Sequence, residues 1–329
     1  MRLAQLLLIF LSAAAQASAT QLFVDPVNGD DASSGSSPDE AVRTITRALR
    51  LAGTDETSIY LAPGTYDAAS GEAFPLEMWG GQDLLATPSA PGARPVIDFA
   101  GRGVGLIIHD VFASQNRTLL AGLDLRGGRI GIRTEEDWFR IENCTISDCD
   151  VGLDMEGRFW PASAPVITRS SISHCGTGIR YQGESGLTTD LSVTIEDCDT
   201  GLDLRLPGAD FFGWFFTLRG VARRCGTGLR IRSNSAFFER VFVEMEITKC
   251  DLGVDLESAG PEPLVLKVFR STVADCAEGL LIRTPLSPFS EIHSSILADN
   301  GSDAPLGLQN AAIRFSTVTS GSLAGSGVV

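Results

Sequence analysis

Six charged residues stand at matched places along the chain. Arg133, Asp154, Arg180, Asp203, Arg230 and Asp255 each follow a glycine by two positions, and the sign alternates from one to the next. Carboxylates brought together in space do acid–base chemistry; a glycosidase brackets its bond with two carboxyls about 5–9.5 Å apart. Asp154, Asp203 and Asp255 are therefore the first place to look for catalysis. Cys149, Cys175, Cys198, Cys225, Cys250 and Cys276 each precede a glycine by three positions in the same phrase, and Cys144 lies just ahead of them. Thiols in such number close disulfides or bind zinc. The histidines 109, 174 and 293 are scattered and read as surface residues. Lys249 and Lys267 have no acidic cluster beside them in sequence to make a lyase base.

A repeat places these residues. The phrase Cys-x-x-Gly-aliphatic, usually with a charge after it, recurs with its cysteines 26, 23, 27, 25 and 26 residues apart. Self-similarity at that period marks a solenoid, in which each repeat packs on its neighbours. Ile146, Ile172, Ile195, Ala222, Ile247 and Val273 stand three residues before the cysteines, and Leu153, Ile179, Leu202, Leu229, Val254 and Leu280 one after the glycines. Stacked coils pile both sets into aliphatic ladders. The phrase appears without cysteine around Gly105 and Gly131, and a degenerate coil closes the series near Asn300. About nine coils at ~4.8 Å each give a rod roughly 40 Å long.

Stacking also decides among the chemistries. Equivalent residues of adjacent coils lie about 4.8 Å apart with nearly parallel Cα–Cβ bonds, which strains a disulfide. A linear column does not converge on tetrahedral zinc. The expectation is a buried column of inert thiols, with disulfides as the alternative and no metal site. Alternate coils put Asp154, Asp203 and Asp255 about 10 Å apart, outside the glycosidase range. In register, each arginine has an aspartate above and below it. Such neighbours contribute ~0.2–1 kcal/mol each, and a slip of one coil would stack like charges. We therefore expect a structural Asp/Arg ladder along one outer sheet, and leave the catalytic residues unassigned.

A hydrophobic content of 43% against 20% charged residues allows a packed core. The net charge of −15 excludes nucleic acid as a partner and repels polyanionic sugars unless a cation bridges them. Arg2, the apolar run from Leu3 to Ala15 and Ala17-Ser18-Ala19 have the form of a cleaved secretory signal. No later segment is apolar enough to span a membrane. The organisation expected is a signal peptide at 1–19, a cap and first coils at 20–100, coils at 101–318 and a flexible tail at 319–329. The product is placed outside the cell, in the periplasm or on the cell surface.

The entrance to the solenoid reads as a strand at Leu22–Val24, a polar loop, a helix and further strands. Val42, Ile45, Ala48, Leu49 and Ala52 fall on one helical face, with Gly53 as its stop. In order, Phe23-Val24-Asp25, Asn28-Gly29-Asp30, Gly35, Thr44-Ile45, Ala48, Ile59-Tyr-Leu-Ala-Pro-Gly-Thr-Tyr66 and Gly71-Glu-Ala-Phe-Pro-Leu76 resemble the N-terminal module of secreted bacterial right-handed parallel β-helix proteins. The last element is similar to that of an uncharacterised bacterial domain family. The resemblance covers about residues 22–100. It implies the pectin-lyase-like fold, an all-β right-handed parallel β-helix with the helix capping its open end, where bare strand edges would invite aggregation. That superfamily holds lyases, esterases, hydrolases, epimerases and non-catalytic proteins, so the resemblance implies architecture and not reaction. Asp25, Asn28, Asp30 and Asp31 read either as a calcium loop or as turn formers. Their spacing departs from a calcium loop and favours turns. No cofactor is expected, calcium at this loop being the alternative.

Loops of uneven length leave the coils at one recurring point and carry aromatics. Trp160, Phe211, Phe212 and Trp214 are the candidates to face a sugar ring; stacking of aromatics on one another is the competing reading. The catalytic motifs of polygalacturonases and pectinesterases are missing. The expected function is a secreted, non-catalytic β-helix scaffold that binds polysaccharide or a cell-surface glycan. The alternative is a divergent carbohydrate-active enzyme, a polysaccharide lyase or glycoside hydrolase.

Overall fold

The computed structural model describes residues 20–318 apart from 89–91, 102, 110–117, 136–138, 158–164, 184–189, 207–214, 235–239, 261–263, 285, 288, 294, 302–311 and 315–316. Thr20–Val24 pairs in parallel with Thr57–Leu61, and that strand with Gln82–Ala86. Between the first two lies helix α1, Ile45–Ala52. Ile45, Ala48, Leu49 and Ala52 bury one face, as their spacing requires. Thr44 caps the start, its hydroxyl accepting from Arg47 N at 3.0 Å. Gly53 ends the helix at φ 63°. Val42 falls outside the helix and bridges Val24 instead, because the Thr44 cap starts the helix after it.

The Gly71–Leu76 element explains how the helix is held. Glu72 is buried, and its carboxylate accepts from Ile45 N at 2.7 Å, Thr46 N at 2.9 Å and Thr46 Oγ1 at 2.6 Å. Those amides have no partner within the helix and carry the positive end of its dipole. Burial raises the Glu72 carboxyl above the ordinary carboxylate range, and the hydrogen bonds oppose that rise. Thus α1 packs across the strands Thr20–Val24, Thr57–Leu61 and Leu76–Trp79 and covers the end of the first coil.

Every strand pairing among the described residues is parallel, and each coil contributes to two sheets. One sheet stacks nine strands in chain order: Leu76–Trp79, Val104–His109, Ile130–Thr134, Val151–Gly157, Thr177–Gly183, Thr200–Leu206, Thr227–Ser233, Leu252–Ser258 and Glu278–Ile282. The other has nineteen strands and forms the remaining two faces. In the middle coils those faces merge into single long strands such as Val166–Ser173 and Arg240–Thr248; toward both ends they separate, as in Val265–Phe269 and Thr272–Ala274. The molecule is an all-β right-handed parallel β-helix with a helix at its N-terminal end.

The repeated phrase is the corner of the coil. The residue before each cysteine is left-handed although none is glycine: Asp148, His174, Asp197, Arg224, Lys249 and Asp275 have φ between 53° and 57°. The carbonyl two residues before each cysteine already accepts a backbone N–H from the preceding coil, and the thiol adds a second, weak donor to it. Cys149, Cys175, Cys198, Cys225, Cys250 and Cys276 each donate to that carbonyl at 3.2–3.5 Å. All seven cysteines are buried free thiols. In the closing coil Asn300 takes the place: its Oδ1 accepts from Cys276 N and its Nδ2 donates to Val273 O. The glycine that follows has a different cause. A Cβ on Gly152 would stand 2.7 Å from the carbonyl oxygen of Gly178 in the next coil and 2.8 Å from Ile172 Cγ2.

Candidate functional site

The outer face of the nine-stranded sheet carries two columns of polar side chains. Register sets the first: Arg133 pairs with Asp154, Asp154 with Arg180, Arg180 with Asp203, Asp203 with Arg230 and Arg230 with Asp255. The column ends on Ile107 and Leu281. The second lies two residues further along each strand. It runs from Trp79 to His109 at the capped end, and from Glu156 through Gln182, Arg205, Arg232 and Glu257 further along.

The aspartates lie deeper than a surface ladder would put them. Asp154, Asp203 and Asp255 are 3%, 1% and 7% exposed, while the arginines between them stay partly open. A buried carboxylate needs a full set of partners, and the three find them differently. Arg180 clamps Asp154 with Nε on Oδ1 at 2.8 Å and Nη2 on Oδ2 at 2.6 Å. Hydrogen bonding to Asp154 raises the Arg180 guanidinium further above its ordinary value. Arg133 approaches the same carboxylate at 3.6 Å. Asp203 is held by Arg205 of its own strand, Nε to Oδ2 at 2.8 Å, and its Oδ1 accepts no hydrogen bond. Arg230 turns instead to the hydroxyls of Thr200 and Thr227, at 3.0 and 3.3 Å. Arg283 supplies Asp255 at 2.9 Å. Arg205 and Arg283 were not singled out from the sequence. Their signal was there: each stands two residues beyond a ladder position, on the same side of its strand.

At the capped end the structure brings together residues that looked scattered. The His109 ring stacks on Trp79 with centroids 4.5 Å apart and planes 25° from parallel. His109 Nδ1 lies 3.2 Å from Glu135 Oε2, and its buried Nε2 lies 3.8 Å from Glu77 Oε2 with no hydrogen bond of its own. Coil-length spacing from Trp79 to His109 to Glu135 was the available signal. His174 is a corner residue, and the His293 ring lies 5.9 Å from that of Phe269.

Further along the face an open groove of about 470 Å³ is lined by Gln182, Arg205, Arg232, Asn234 and Glu257, with Leu206, Ser233 and Ala259. Trp160, Phe211, Phe212 and Trp214 lie outside the described residues. In the entrance loop the acidic side chains are taken up by backbone. Asp25 accepts from Val27 N and Asn28 N, Asp30 from Ala32 N, and Asp31 from Arg43 N and Thr44 N. Among the described residues no group of three or more His, Cys, Asp or Glu side chains converges as for a metal ion.

Residues 27–190 match the family described as "Protein of unknown function (DUF1565)". The match covers just under half of the chain and is a likeness to that family. The matched stretch spans α1, the Gly71–Leu76 element, the Trp79–His109 stack and the first half of the ladder. No curated protein matches the sequence. Among solved structures, one described as pectate lyase Pel9A superposes over 95% of this chain and 82% of its own, at 14% identity and a TM-score of 0.60. One described as rhamnogalacturonan lyase covers 92% of this chain and 83% of its own at 11% identity, with a TM-score of 0.42. A GH136 lacto-N-biosidase from Eubacterium ramulus covers 90% and 65% at 10% identity, with a TM-score of 0.49. The pectate lyase likeness is one of fold: the stretch similar to DUF1565 is built into a pectate-lyase-like β-helix.

Proposed function

We propose that the protein is an exported β-helix that holds a polysaccharide on the outer face of its nine-stranded sheet without cleaving it. The groove carries this reading. Gln182 and Asn234 offer amides, Arg205 and Arg232 guanidinium donors and Glu257 an acceptor, along about 470 Å³ of open space. Planar side chains that both donate and accept match the hydroxyls of a sugar, and the volume falls in the ~300–1,000 Å³ range of ligand sites. Likeness in fold to a structure described as a pectate lyase supports a polysaccharide as the class of partner. The charge of −15 favours a neutral glycan over a polyanionic one. Trp160, Phe211, Phe212 and Trp214 come after strands of this sheet in sequence and remain the candidates for stacking on sugar rings in this reading.

The absence of catalysis is part of the proposal. Asp154, Asp203 and Asp255 are each buried against a guanidinium, which leaves little room for a substrate to reach their carboxylates. Residues 1–19 are assigned as the export signal. None of the helices among the described residues is long and apolar enough to cross a membrane. The test is a glycan array with purified protein, followed by reducing-sugar and unsaturated-product assays on every glycan bound. The reading expects binding without product, weakened by Arg232→Ala. Product formation would establish the carbohydrate-active enzyme instead, and an array without any bound glycan would refute the binding role.

A further inference from the structure

A second cavity lies at the capped end, between α1 and the Leu76–Trp79 strand. Its volume is about 390 Å³, and Leu49, Arg50, Phe74, Pro75, Glu77 and Trp79 form its walls. We propose that this cleft binds the terminal sugar of a neutral glycan chain, so that the outer face of the sheet receives polysaccharide with its end against the cap. The inference rests on the reading of the protein as a polysaccharide binder.

Four observations carry it. The first is an available aromatic face. Trp79 stacks one side of its indole on His109 of the next strand, and α1 lies on the opposite side of the Leu76–Trp79 strand, the first of the nine. Trp79 also lines the cleft, where an indole is suited to pack on the apolar face of a pyranose. The second is a pair of charged groups with capacity to spare. Arg50 is exposed, and its guanidinium makes no ion pair among the described residues. The Glu77 side chain is 55% exposed, and among the described residues its nearest side-chain partner of this kind is the His109 ring at 3.8 Å. A donor and an acceptor on opposite walls suit adjacent hydroxyls of one ring.

The third is rigidity. Gln82 is fully buried and ties the two walls together: its Oε1 accepts from Trp79 N at 2.9 Å, and its Nε2 donates to Gly53 O at 3.1 Å. Glu72 fixes the other end of α1. Phe74 is braced by the edge of Phe99, with ring centroids 5.3 Å apart. A site whose walls are already held loses little freedom on binding. Fourth, the cleft lies where the face ends: α1 forms its wall through Leu49 and Arg50, so a chain lying along the sheet meets the helix at its end. Glu77 on the wall, Glu135 close by and the net charge of −15 select a neutral ring over a uronate. The Gly71–Leu76 element thus does two jobs. Glu72 caps the helix, and Phe74, Pro75 and Leu76 line the cleft that the capped helix completes.

Calorimetric titration of the full chain tests this with neutral linear tetrasaccharides of glucose, mannose, galactose and xylose, the corresponding polymers, and tetragalacturonate. At least one neutral tetrasaccharide is expected to bind, with an affinity that the polymer matches per chain end and not per sugar. Arg50→Met, Glu77→Gln and Trp79→Ala are each expected to weaken it about tenfold or more. Should Trp79→Ala fail to fold, Trp79→Phe and the two exposed substitutions carry the test. The inference is overturned if no neutral tetrasaccharide binds, if Arg50→Met and Glu77→Gln both bind as wild type, or if tetragalacturonate binds more tightly. Glycan binding that responds only to Arg232→Ala would remove this site and leave the groove. Binding that responds only to the cap-end variants would remove the groove.

Discussion

Asp154 lies under Arg180 in a bidentate clamp with almost no exposure of its own. Removing the guanidinium alone strands a buried carboxylate, whereas removing both charges does not. Arg180→Met is expected to destabilise the fold by about 3 kcal/mol, and Asp154→Leu added to it to recover most of that loss. Urea unfolding of the two variants and of wild type checks the pair; equal losses would show that the clamp is not what holds the corner. A second carboxylate gives a signature in pH. Burial pushes the Asp83 carboxyl from its ordinary 3.8 up to about 6, in spite of hydrogen bonds from Leu119 N and the Ser58 hydroxyl. The folded chain therefore holds this proton more tightly than the unfolded one. Its contribution is greatest below the unfolded value and is lost as pH rises through about 6. Asp83→Asn should be more stable than wild type by about 1 kcal/mol near neutral pH, allowing for the solvent that still reaches the group, with the gain vanishing below about pH 4. Denaturant midpoints across that range would expose a flat difference if Asp83 is not the cause.

At the scale of the coil, the corner is a backbone device first and a side-chain device second. A left-handed residue costs any side chain, and the cysteine that follows adds a weak second donor to a carbonyl already bonded along the stack. Lys249 occupies such a position with its side chain exposed. Lys249→Gly relieves the strain and is expected to raise stability by about 0.5–1 kcal/mol, net of the extra freedom glycine brings to the unfolded chain. A drop in melting temperature would mean that the side chain has a role the turn does not reveal. The cap follows the same logic. Thr44, Gly53 and Glu72 satisfy the groups that α1 leaves open at its ends, and Gln82 anchors its last turn.

Across the whole rod, the column of thiols is a continuous strip of buried core. Hydrogen bonding with the Cys149 thiol pushes the Cys175 thiol up to about 12, and burial pushes Cys144 up to about 11. Reactivity needs access as well as thiolate, and all seven thiols are buried. Native protein at about pH 8 is expected to take up no iodoacetamide, whereas denatured protein takes up seven equivalents, one per cysteine. Mass spectrometry of the two samples decides it; modification of the native column would show that the coils part from one another on that timescale.

Much of this architecture was legible because a solenoid turns sequence period directly into spatial neighbourhood. The Cys-x-x-Gly phrase placed the corner, the aliphatic residues on either side placed the core, and two positions past the glycine came the column of alternating charge. The Thr44–Gly53 helix could be read from its apolar spacing and its caps. Three matters needed the tertiary structure. The depth of Asp154, Asp203 and Asp255 depends on how arginines from two adjacent columns fold over them, and Arg205 and Arg283 reach across by side-chain conformation that no period encodes. The Trp79–His109–Glu135 constellation lies on coils without the cysteine phrase, so coil-length spacing alone marked it and the contacts themselves came from the fold. The cleft beside Trp79 exists only because a buried glutamine and a buried glutamate hold a helix at a set distance from a strand. Sequence by itself determined the coil, its corner and its core, since those arise from neighbours one period apart. Only the tertiary structure decided where binding surfaces open, since those arise where the repeat ends or gives way to the cap.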